Sequence, residues 1–355
     1  MEIKDLTSNK FSAWDEFCVL SDDAWFWHTS GWLAYHLSYR PELRPQTKSF
    51  FVEIDGRIAA ICPLLLEDYQ GKKEFSFGGE YGPVPAFHND LGKMVKEKLK
   101  KVVFEEIDRR ANAYAVKRVC FRFTILSHVF SEREERWFNY LLKFGYLDNS
   151  LNTQIIDLGK PAVELRREIR HGHDAAIARA EKGLSSEIFE QTNITAEVFE
   201  QYVSLHQKAA GRVTRPSQTF DLMLEFIKQD KAFLVGALQN RKFLGFAYFF
   251  LYKNKVYYGS SCNDPEAADL PVGHFIQWQA IEYMQRRHCQ FYEIGLQQYG
   301  PTFSDFPTSK AIQVGAFKRG FGGFTAPCFR AEKFYDKGYF LEVYQDRLKK
   351  FANTL

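Results

Sequence analysis

Two adjacent cations near the C-terminal end of the chain have the residue types that most directly suggest chemistry. Lys318 and Arg319 follow Phe317 and precede a glycine-rich run at 320–323. Fixed positive charges stabilise phosphate groups or a developing oxyanion, and glycines let the backbone approach a ligand closely. The pattern also fits an ordinary helix C-terminus, where basic side chains meet the last carbonyl groups and glycine ends the helix. Both interpretations stay open on sequence alone.

Two arginines form a second cationic segment. Arg212 and Arg215 lie between Gly211 and Pro216, a pattern that predicts a helix ending in a loop. Arginine forks bind phosphate oxygens through two parallel hydrogen bonds, which makes both residues candidates for substrate binding. A helix C-terminus favours cations in any case, and this local role is the alternative.

A polar and aromatic stretch at 296–306 contains Gln297, Gln298 and Tyr299. Amide and aromatic groups together suit the hydroxyl and acetamido groups of a sugar, and an ordinary connecting loop is the alternative. Tyr258 is a further candidate for a pocket wall. Because Tyr258 and its preceding neighbour on a predicted strand point to opposite faces, at most one of the two lines a pocket.

Composition limits the classes of protein that fit this chain. Its 355 residues suggest two domains, and 45% hydrophobic and 16% aromatic residues are enough for two large cores. A net charge of +3 argues against a protein that coats nucleic acid. The six cysteines lack CxxC and CxH spacing, and His171 and His173 lack a third ligand, so no disulfide framework or metal site is expected.

The chain has no apolar signal segment, and no apolar stretch of about 18 residues that could span a membrane. We therefore predict a cytoplasmic location. A lysine-rich run at 93–101 could contact phosphates or anionic lipid headgroups, and a solvated helix face is the alternative.

Two halves of the chain repeat one plan, in which a β-hairpin precedes a helix and a further strand. The first half has predicted strands at 49–54 and 58–66 joined at Asp55-Gly56, a helix at 91–111, a strand at 118–123 and a helix at 133–144. The second half has predicted strands at 233–238, 243–252 and 256–261, a helix at 273–287 and a strand at 291–294.

This repetition predicts an α/β fold of two tandem domains, each a mixed β-sheet flanked by helices. A helix at 162–182, entered at Pro161 and stopped by Gly183, joins them. We place the domains at 1–160 and 161–355, with a cleft between them and most of the site in the second.

Short motifs spread over nearly the whole chain resemble the FemABX family, the aminoacyl-tRNA-dependent peptidyltransferases of the peptidoglycan bridge, within the GNAT superfamily. The matching elements are His28-Thr29-Ser30-Gly31-Trp32, Gly82-Pro83-Val84, Arg179-Ala180-Glu181-Lys182-Gly183, 205–212, Tyr292-Glu293-Ile294-Gly295, and Phe317-Lys318 with Gly320-Phe321-Gly322. Tyr35 and His36 stand where the family has a lysine, and Pro85 stands where an acidic residue is common. The chain looks closer to GNAT-like relatives found with polysaccharide and amino-sugar genes.

The resemblance implies acyl transfer to an amine. Lys318 maps onto a lysine that stabilises negative charge beside the aminoacyl end of the donor, and Arg212 resembles an arginine that holds an acceptor phosphate. The reaction also needs a base for the amine proton. Glu293 and His206 are the main candidates, with His274 and Tyr258 as further ones, and local structural roles remain open for all of them.

The donor is expected to be an aminoacyl-tRNA or an acyl-CoA, as a co-substrate rather than a bound cofactor. In the GNAT fold a loop before a helix grips the CoA diphosphate. The corresponding loop at 265–273 carries Glu266, Asp269 and Pro271, which predicts weak CoA binding.

The sequence thus predicts an N-acyltransferase that acts on an amine of an amino-sugar, glycan or peptide precursor of the cell envelope. The alternatives are an aminoacyl-tRNA-dependent transferase of the peptidoglycan bridge and a catalytically silent double-GNAT module that only binds.

Overall fold

The computed structural model describes residues 1–128 and 138–354, which divide into two compact units. The first unit comprises Met1–Asn152, Gln298–Ala311 and Pro327–Leu355, and the second comprises Thr153–Gln297 and Ile312–Ala326. The predicted single boundary at residue 160 differs from these units, which share the C-terminal part of the chain between them. Residues 133–137 of the predicted helix at 133–144 lie outside the described residues; its described part contains a 3₁₀ helix at Tyr140–Phe144, which ends at Gly145.

The α-helices of the described residues are α1 Phe11–Leu20, α2 Ser30–Tyr39, α3 Lys93–Ala113, α4 Ile125–His128, α5 Ala162–Glu168, α6 His171–Ala180, α7 Ala196–Ala210, α8 Ser217–Lys228, α9 Val272–Arg286, α10 Ser309–Arg319 and α11 Lys337–Ala352.

The strands of the same residues are β1 Glu2–Asp5, β2 Gln46–Thr47, β3 Phe50–Ile54, β4 Arg57–Cys62, β5 Leu65–Tyr69, β6 Lys72–Phe75, β7 Gly82–Pro83, β8 Ala86–Phe87, β9 Arg118–Arg122, β10 Leu147–Asp148, β11 Leu151–Asp157, β12 Ser185–Phe189, β13 Ala232–Gln239, β14 Lys242–Tyr252, β15 Lys255–Asn263, β16 Phe291–Gln297, β17 Phe324–Cys328 and β18 Arg330–Phe334.

The first unit contains two sheets, one in the order β1-β3-β4-β8 and one in the order β10-β18-β9-β6-β5-β2, with β7 also paired to β9. The predicted hairpin at Asp55-Gly56 is confirmed: both residues have positive φ, as a two-residue turn of this kind requires. The prediction of one strand at 58–66 is wrong. Pro63 separates β4 from β5, and these strands pair in different sheets, because proline cannot donate to a strand ladder.

The second unit is built on one sheet with the order β12-β13-β14-β15-β16-β11-β17. Strands β12 to β15 pair antiparallel, and β15 pairs parallel with β16 after the crossover helix α9. One face of α9 packs into the core, where Phe275, Ile276 and Met284 are at most 3% exposed and meet Phe233 and Tyr292 of the sheet. The predicted class, α/β with mixed sheets flanked by helices, is confirmed.

The helix predicted at 162–182 begins after Pro161 as expected, but it is two helices rather than one. Ile169 and Arg170 are extended between α5 and α6, with ψ angles of 131° and 134°. The amide of Arg170 donates to the carbonyl of Gly320 at 2.9 Å instead of continuing the helix. A tertiary hydrogen bond of this kind leaves no trace in the hydrophobic period of the segment.

Candidate functional site

Alternate residues of β16 face the end of helix α10. Glu293, Gly295 and Gln297 share one face of the strand, because side chains alternate along a strand, whereas Tyr292 and Ile294 are fully buried on the core side. Gly295 has a φ of 116°, a conformation that side-chain-bearing residues rarely adopt. The strand therefore presents two polar side chains and one bare backbone position to the last turn of α10.

Lys318, in that last turn, extends to the bare backbone at Gly295. A Cβ atom built at Gly295 would lie 2.7 Å from the Lys318 Nζ, so the glycine makes room for the amine. The Nζ also lies 5.7 Å from the centroid of the Tyr258 ring. Burial lowers the pKa of Lys318, and the negative charge of Glu293 opposes this shift. The amine is thus a desolvated cation held against a strand and an aromatic ring.

Glu293 is 6% exposed, and its Oε1 accepts a hydrogen bond from the Thr153 hydroxyl at 2.8 Å. It stands opposite Tyr257 in the parallel pairing of β15 with β16. A buried carboxylate close enough to influence the charge of Lys318 is suited to accept a proton from an amine that approaches the same place. Among the predicted bases, the structure brings Glu293 and Tyr258 close to Lys318, and of these two Glu293 is the carboxylate.

A pocket of about 450 Å³ in the second unit is lined by Tyr258 and Phe317, the neighbours of Lys318 in space and in sequence. Its wall consists of Ala176, Arg179, Tyr258, Ser261, Asn263, Ala268, Asp269, Leu270, Pro271, Gly273, His274 and Phe317. The Tyr258 hydroxyl donates to the Ser261 hydroxyl at 2.5 Å, and burial raises the pKa of Tyr258, which keeps it protonated. The pocket therefore offers aromatic surface, hydroxyl groups and one arginine to a ligand.

A β-bulge shapes this pocket. Tyr248 pairs with Ser260 and Phe249 pairs with Tyr258, so Gly259 is an extra residue in β15. The extra residue shifts the alternation by one, which brings Ser261 and Asn263 to the face of Tyr258. Neither residue was predicted, because regular alternation would turn both away from the face of Tyr258. The glycine after Tyr258 is the signal that could have revealed them.

The start of helix α9, at the pocket wall, leaves few free amides. Pro271 has no N–H, Val272 donates to the carbonyl of Leu270 at 2.8 Å, and His274 donates to the carbonyl of Pro271 at 3.1 Å. Anion sites at helix N-termini use amides that have no such partner. This helix start is therefore poorly equipped to hold a diphosphate.

The carboxylates of the preceding loop have partners of opposite charge. Lys208 lies 2.8 Å from oxygens of both Asp264 and Glu266, and Lys242 lies 3.3 and 3.7 Å from them. Lys208 and Lys242 thus balance the charge of Glu266, which the sequence analysis had counted against an anionic ligand. Asp269 is exposed at the pocket wall and is the carboxylate that a bound anion would meet there.

Phe317 and Arg319 flank Lys318 and have different surroundings. The Phe317 ring lines the pocket and lies 4.9 Å from the His274 ring. Arg319 donates from Nη1 to the side-chain oxygen of Gln297 at 2.9 Å, while Gln297 donates to the carbonyl of Gly295 at 3.0 Å. Arg319 and Gln297 therefore brace the segment around Lys318.

The other predicted residues of the second unit form a separate cluster on α7, α8 and the loop between them. His206 is 8% exposed and packs against Phe220; burial, with a further contribution from the Arg215 charge, lowers its pKa. Arg215 lies 5.3 Å from the centroid of the Phe220 ring and donates to the sulfur of Met223. Arg212 is exposed after the C-cap Gly211. These contacts are local to that cluster.

Gln298 and Tyr299 belong to the first compact unit. Gln298 donates to the carboxylate of Asp305 at 2.7 Å, and Tyr299 is 57% exposed. Their proposed part in binding a sugar stays a prediction. Among residues 1–128 and 138–354, no three His, Cys, Asp or Glu side chains are grouped so that they could hold a metal ion. No helix in that part of the chain is long and apolar enough to cross a membrane.

Comparisons with known proteins give one matching family and several solved structures of similar fold. Residues 164–302 match the family described as "Acetyltransferase (GNAT) domain". The search of curated protein sequences found no match. The crystal structure of FemX has a TM-score of 0.67 and 14% identity, over 97% of this chain and 100% of FemX.

Two further solved structures share the architecture. The C-terminal domain of a putative lysylphosphatidylglycerol synthetase from Agrobacterium fabrum has a TM-score of 0.58 and 12% identity, covering 96% of each chain. A tandem GNAT protein from the clavulanic acid biosynthesis pathway has a TM-score of 0.52 and 11% identity, over 94% of this chain and 98% of that one. The chain therefore has a FemX-like tandem GNAT fold, as predicted, and its GNAT domain assigns it to the acyltransferases.

Proposed function

We propose that this protein transfers an acyl or aminoacyl group to the amine of an amino-sugar, glycan or peptide precursor of the cell envelope. The observation that carries the proposal is the placement of Lys318: a desolvated ammonium lies against the bare backbone of Gly295 and beside the Tyr258 ring of the pocket wall. A positive charge fixed in a water-poor site stabilises an oxyanion far better than one in water.

The reaction uses the neighbouring residues in separate roles. The acceptor amine attacks the carbonyl carbon of an ester or thioester donor, and Lys318 stabilises the negative oxygen of the tetrahedral intermediate. Glu293 takes the proton that the amine nitrogen loses. The bond from the carbonyl carbon to the leaving oxygen or sulfur then breaks, and the leaving group takes up a proton. Phe317 and Tyr258 provide apolar surface for the acyl part.

The start of α9 favours an aminoacyl ester over an acyl-CoA as the donor. The amides of Val272 and His274 already bond to the carbonyls of Leu270 and Pro271, and Asp269 adds a negative charge to the pocket wall. The similarity to FemX over the whole length of both chains supports the same choice, because the FemABX resemblance implies an aminoacyl-tRNA. A transferase of the peptidoglycan bridge is therefore the second candidate function.

A transfer assay tests the proposal. The purified protein is incubated with radiolabelled aminoacyl-tRNA or acetyl-CoA and with glucosamine, UDP-linked amino sugars or a UDP-linked peptide precursor. Label that moves from either donor to an amino sugar, or from acetyl-CoA to the peptide precursor, supports the first function. Label that moves only from aminoacyl-tRNA and only to the peptide precursor supports the second. A protein that transfers nothing from either donor would instead be a binding module. The cytoplasmic location and the peripheral contact of α3 with a membrane stay predictions.

A further inference from the structure

We infer that His173 is a positioning residue for Lys318, because it fixes the peptide group between Phe317 and Lys318. The effect on catalysis that follows from this inference rests on the proposed function. In the sequence, His173 was weighed only as a metal ligand. The structure places it in helix α6, directly behind the wall of the pocket, in contact with the last turn of α10.

Two hydrogen bonds fix the protonation and the orientation of the His173 ring. The Arg170 guanidinium lies 3.0 Å from Nδ1, and because a guanidinium can only donate, Nδ1 must be the acceptor. The ring is therefore neutral, with its proton on Nε2, and Nε2 donates to the carbonyl oxygen of Phe317 at 2.9 Å. Burial lowers the pKa of His173, which supports the neutral form.

The ring is also held by packing. His173 is 3% exposed, and its ring centroid lies 4.4 Å from that of His274, 5.3 Å from that of Phe317 and 5.0 Å from that of Phe321. A Cβ atom at Gly320 would lie 2.2 Å from the His173 Nε2, so only glycine admits the ring at this position. The glycine-rich end of α10 thus accommodates a histidine from another helix.

The carbonyl that accepts from His173 is that of Phe317, and it belongs to the peptide group that links Phe317 to Lys318. Carbonyl groups in the last turn of a helix lack a full set of intrahelical partners. The Phe317 carbonyl accepts from the Gly320 amide at 3.1 Å and from His173 on the side facing α6. Loss of the His173 bond would remove a constraint on this turn that the bond from Arg319 to Gln297 does not replace, and Lys318 would shift relative to Gly295. A displacement of about 1 Å at a catalytic group can cost up to ~10²-fold in rate.

A chemical experiment tests the link without a substrate. Trace acetic anhydride labels lysine amines, and mass spectrometry of peptides compares Lys318 with Lys310, an exposed lysine on the same helix. In His173→Phe, which keeps an aromatic ring but no donor, labelling of Lys318 relative to Lys310 should rise about fivefold or more. In His173→Gln, whose amide can still donate to Phe317, the ratio should stay within about twofold of the wild type.

The labelling of Lys318 relative to Lys310 decides whether His173 positions Lys318. An unchanged ratio in folded His173→Phe overturns the inference, whatever the activity. Should that variant not fold, Gly320→Ala provides the same test, because its Cβ displaces the His173 ring; an unchanged ratio there has the same meaning.

A kinetic comparison separates this inference from the proposed function. With the donor and acceptor identified by the transfer assay, kcat of His173→Phe should fall about tenfold or more while KM changes little, because the lost interaction matters in the transition state. If Lys318→Ala is inactive but His173→Phe keeps the wild-type kcat, the inference fails and the proposed function stands. If Lys318→Ala keeps full activity, the proposed function fails even where the labelling ratio rises.

Discussion

Lys318 combines features that an ordinary lysine at a helix C-terminus lacks. A basic side chain that only compensates the helix dipole is solvated and gains a few tenths of a kcal/mol. Lys318 instead loses solvation, which lowers its pKa, and a glycine with positive φ stands opposite its amine. Both interpretations of the Lys318-Arg319 pair therefore apply: the segment is a helix end, and it holds the half-buried amine of Lys318 against the backbone of Gly295.

The role of Lys318 gives the first prediction. Lys318→Ala should lose ~10²-fold or more in transfer rate, the scale of removing one oxyanion donor, while the melting temperature stays close to that of the wild type. Steady-state kinetics with the substrates of the transfer assay, together with thermal unfolding, measure both. Lys310→Ala, on the same helix but exposed, is the control and should behave as the wild type. Full activity in Lys318→Ala would remove the residue from the mechanism.

Arg212 distinguishes phosphate binding from a dipole effect. The residue is exposed just after the end of α7, so lysine in its place keeps the interaction with the helix dipole. If its guanidinium binds an acceptor phosphate through two hydrogen bonds, Arg212→Lys should raise the acceptor KM several-fold with no change in melting temperature. An acceptor KM that is unaffected in both Arg212→Lys and Arg212→Ala would mean that Arg212 does not contact the acceptor.

At the scale of elements, the contact between α6 and the end of α10 requires a glycine. Gly320→Ala should destabilise the protein by about 1–3 kcal/mol, because its Cβ would overlap the buried His173 ring. Gly172→Ala is the matched control: it lies in α6 with nothing within 4 Å of the added Cβ, and it should be neutral or stabilising by up to about 1 kcal/mol. Urea unfolding of both variants provides the comparison, and equal stabilities would contradict this account of the contact.

The start of α9 leads to a prediction about CoA. Since its first amides bond to nearby carbonyls and Asp269 faces the pocket, calorimetry should detect no CoA binding tighter than roughly millimolar, about −4 kcal/mol. Asp269→Asn removes the opposing charge and should tighten whatever weak binding exists by a few-fold. A micromolar complex with the wild type would contradict the prediction and favour an acetyl donor.

Much of the second unit's order of elements could be predicted from sequence, and its irregularities could not. The Asn240-Arg241 turn, β14 and α9 follow from turn residues and hydrophobic periods, which are local. The break at Ile169 depends on Gly320, far along the chain, and the bulge at Gly259 depends on the packing of Phe250 on the neighbouring strand β14. The same difference applies to the candidate site. Lys318 and Glu293 were predicted from their residue types and from motifs, whereas Ser261 and Asn263 face the pocket only because of the bulge.

At the scale of the whole molecule, strand pairing determines which of the two units each C-terminal segment joins. β17 pairs with β11 in the second unit, and β18, two residues later, pairs with β9 and β10 in the first. Helix α11 then also belongs to the first unit. A period-2 pattern shows that a segment is a strand but does not show which sheet it joins, so the sequence analysis assigned the entire C-terminal part to the second domain.

Each unit contains a histidine whose pKa is lowered by loss of solvation. His36, 7% exposed in the first unit, has its pKa lowered to about 3 by burial and by the nearby Arg122 charge. His274 in the second unit has its pKa lowered to about 4, mainly by burial. An unfolded histidine titrates near 6.5, so below about pH 6.5 the unfolded chain binds more protons than the native one. The free energy of unfolding must therefore decrease as the pH is lowered below about 6.5. Above that pH these histidines are neutral in both states, and they add no pH dependence.

The window between pH 7 and pH 5 isolates this effect, because carboxylates titrate mainly below it. His36, as a deeply buried group, should lower the free energy of unfolding by about 1.4 kcal/mol per pH unit below 6.5, or about 2 kcal/mol at pH 5. Urea unfolding at both pH values measures the difference. His36→Phe, whose ring suits the surrounding Trp32, Tyr39 and Phe77, should lose that part of the pH dependence, whereas His171→Gln at an exposed position should keep it. Equal pH dependence in His36→Phe and the wild type would mean that His36 is not held neutral by its burial.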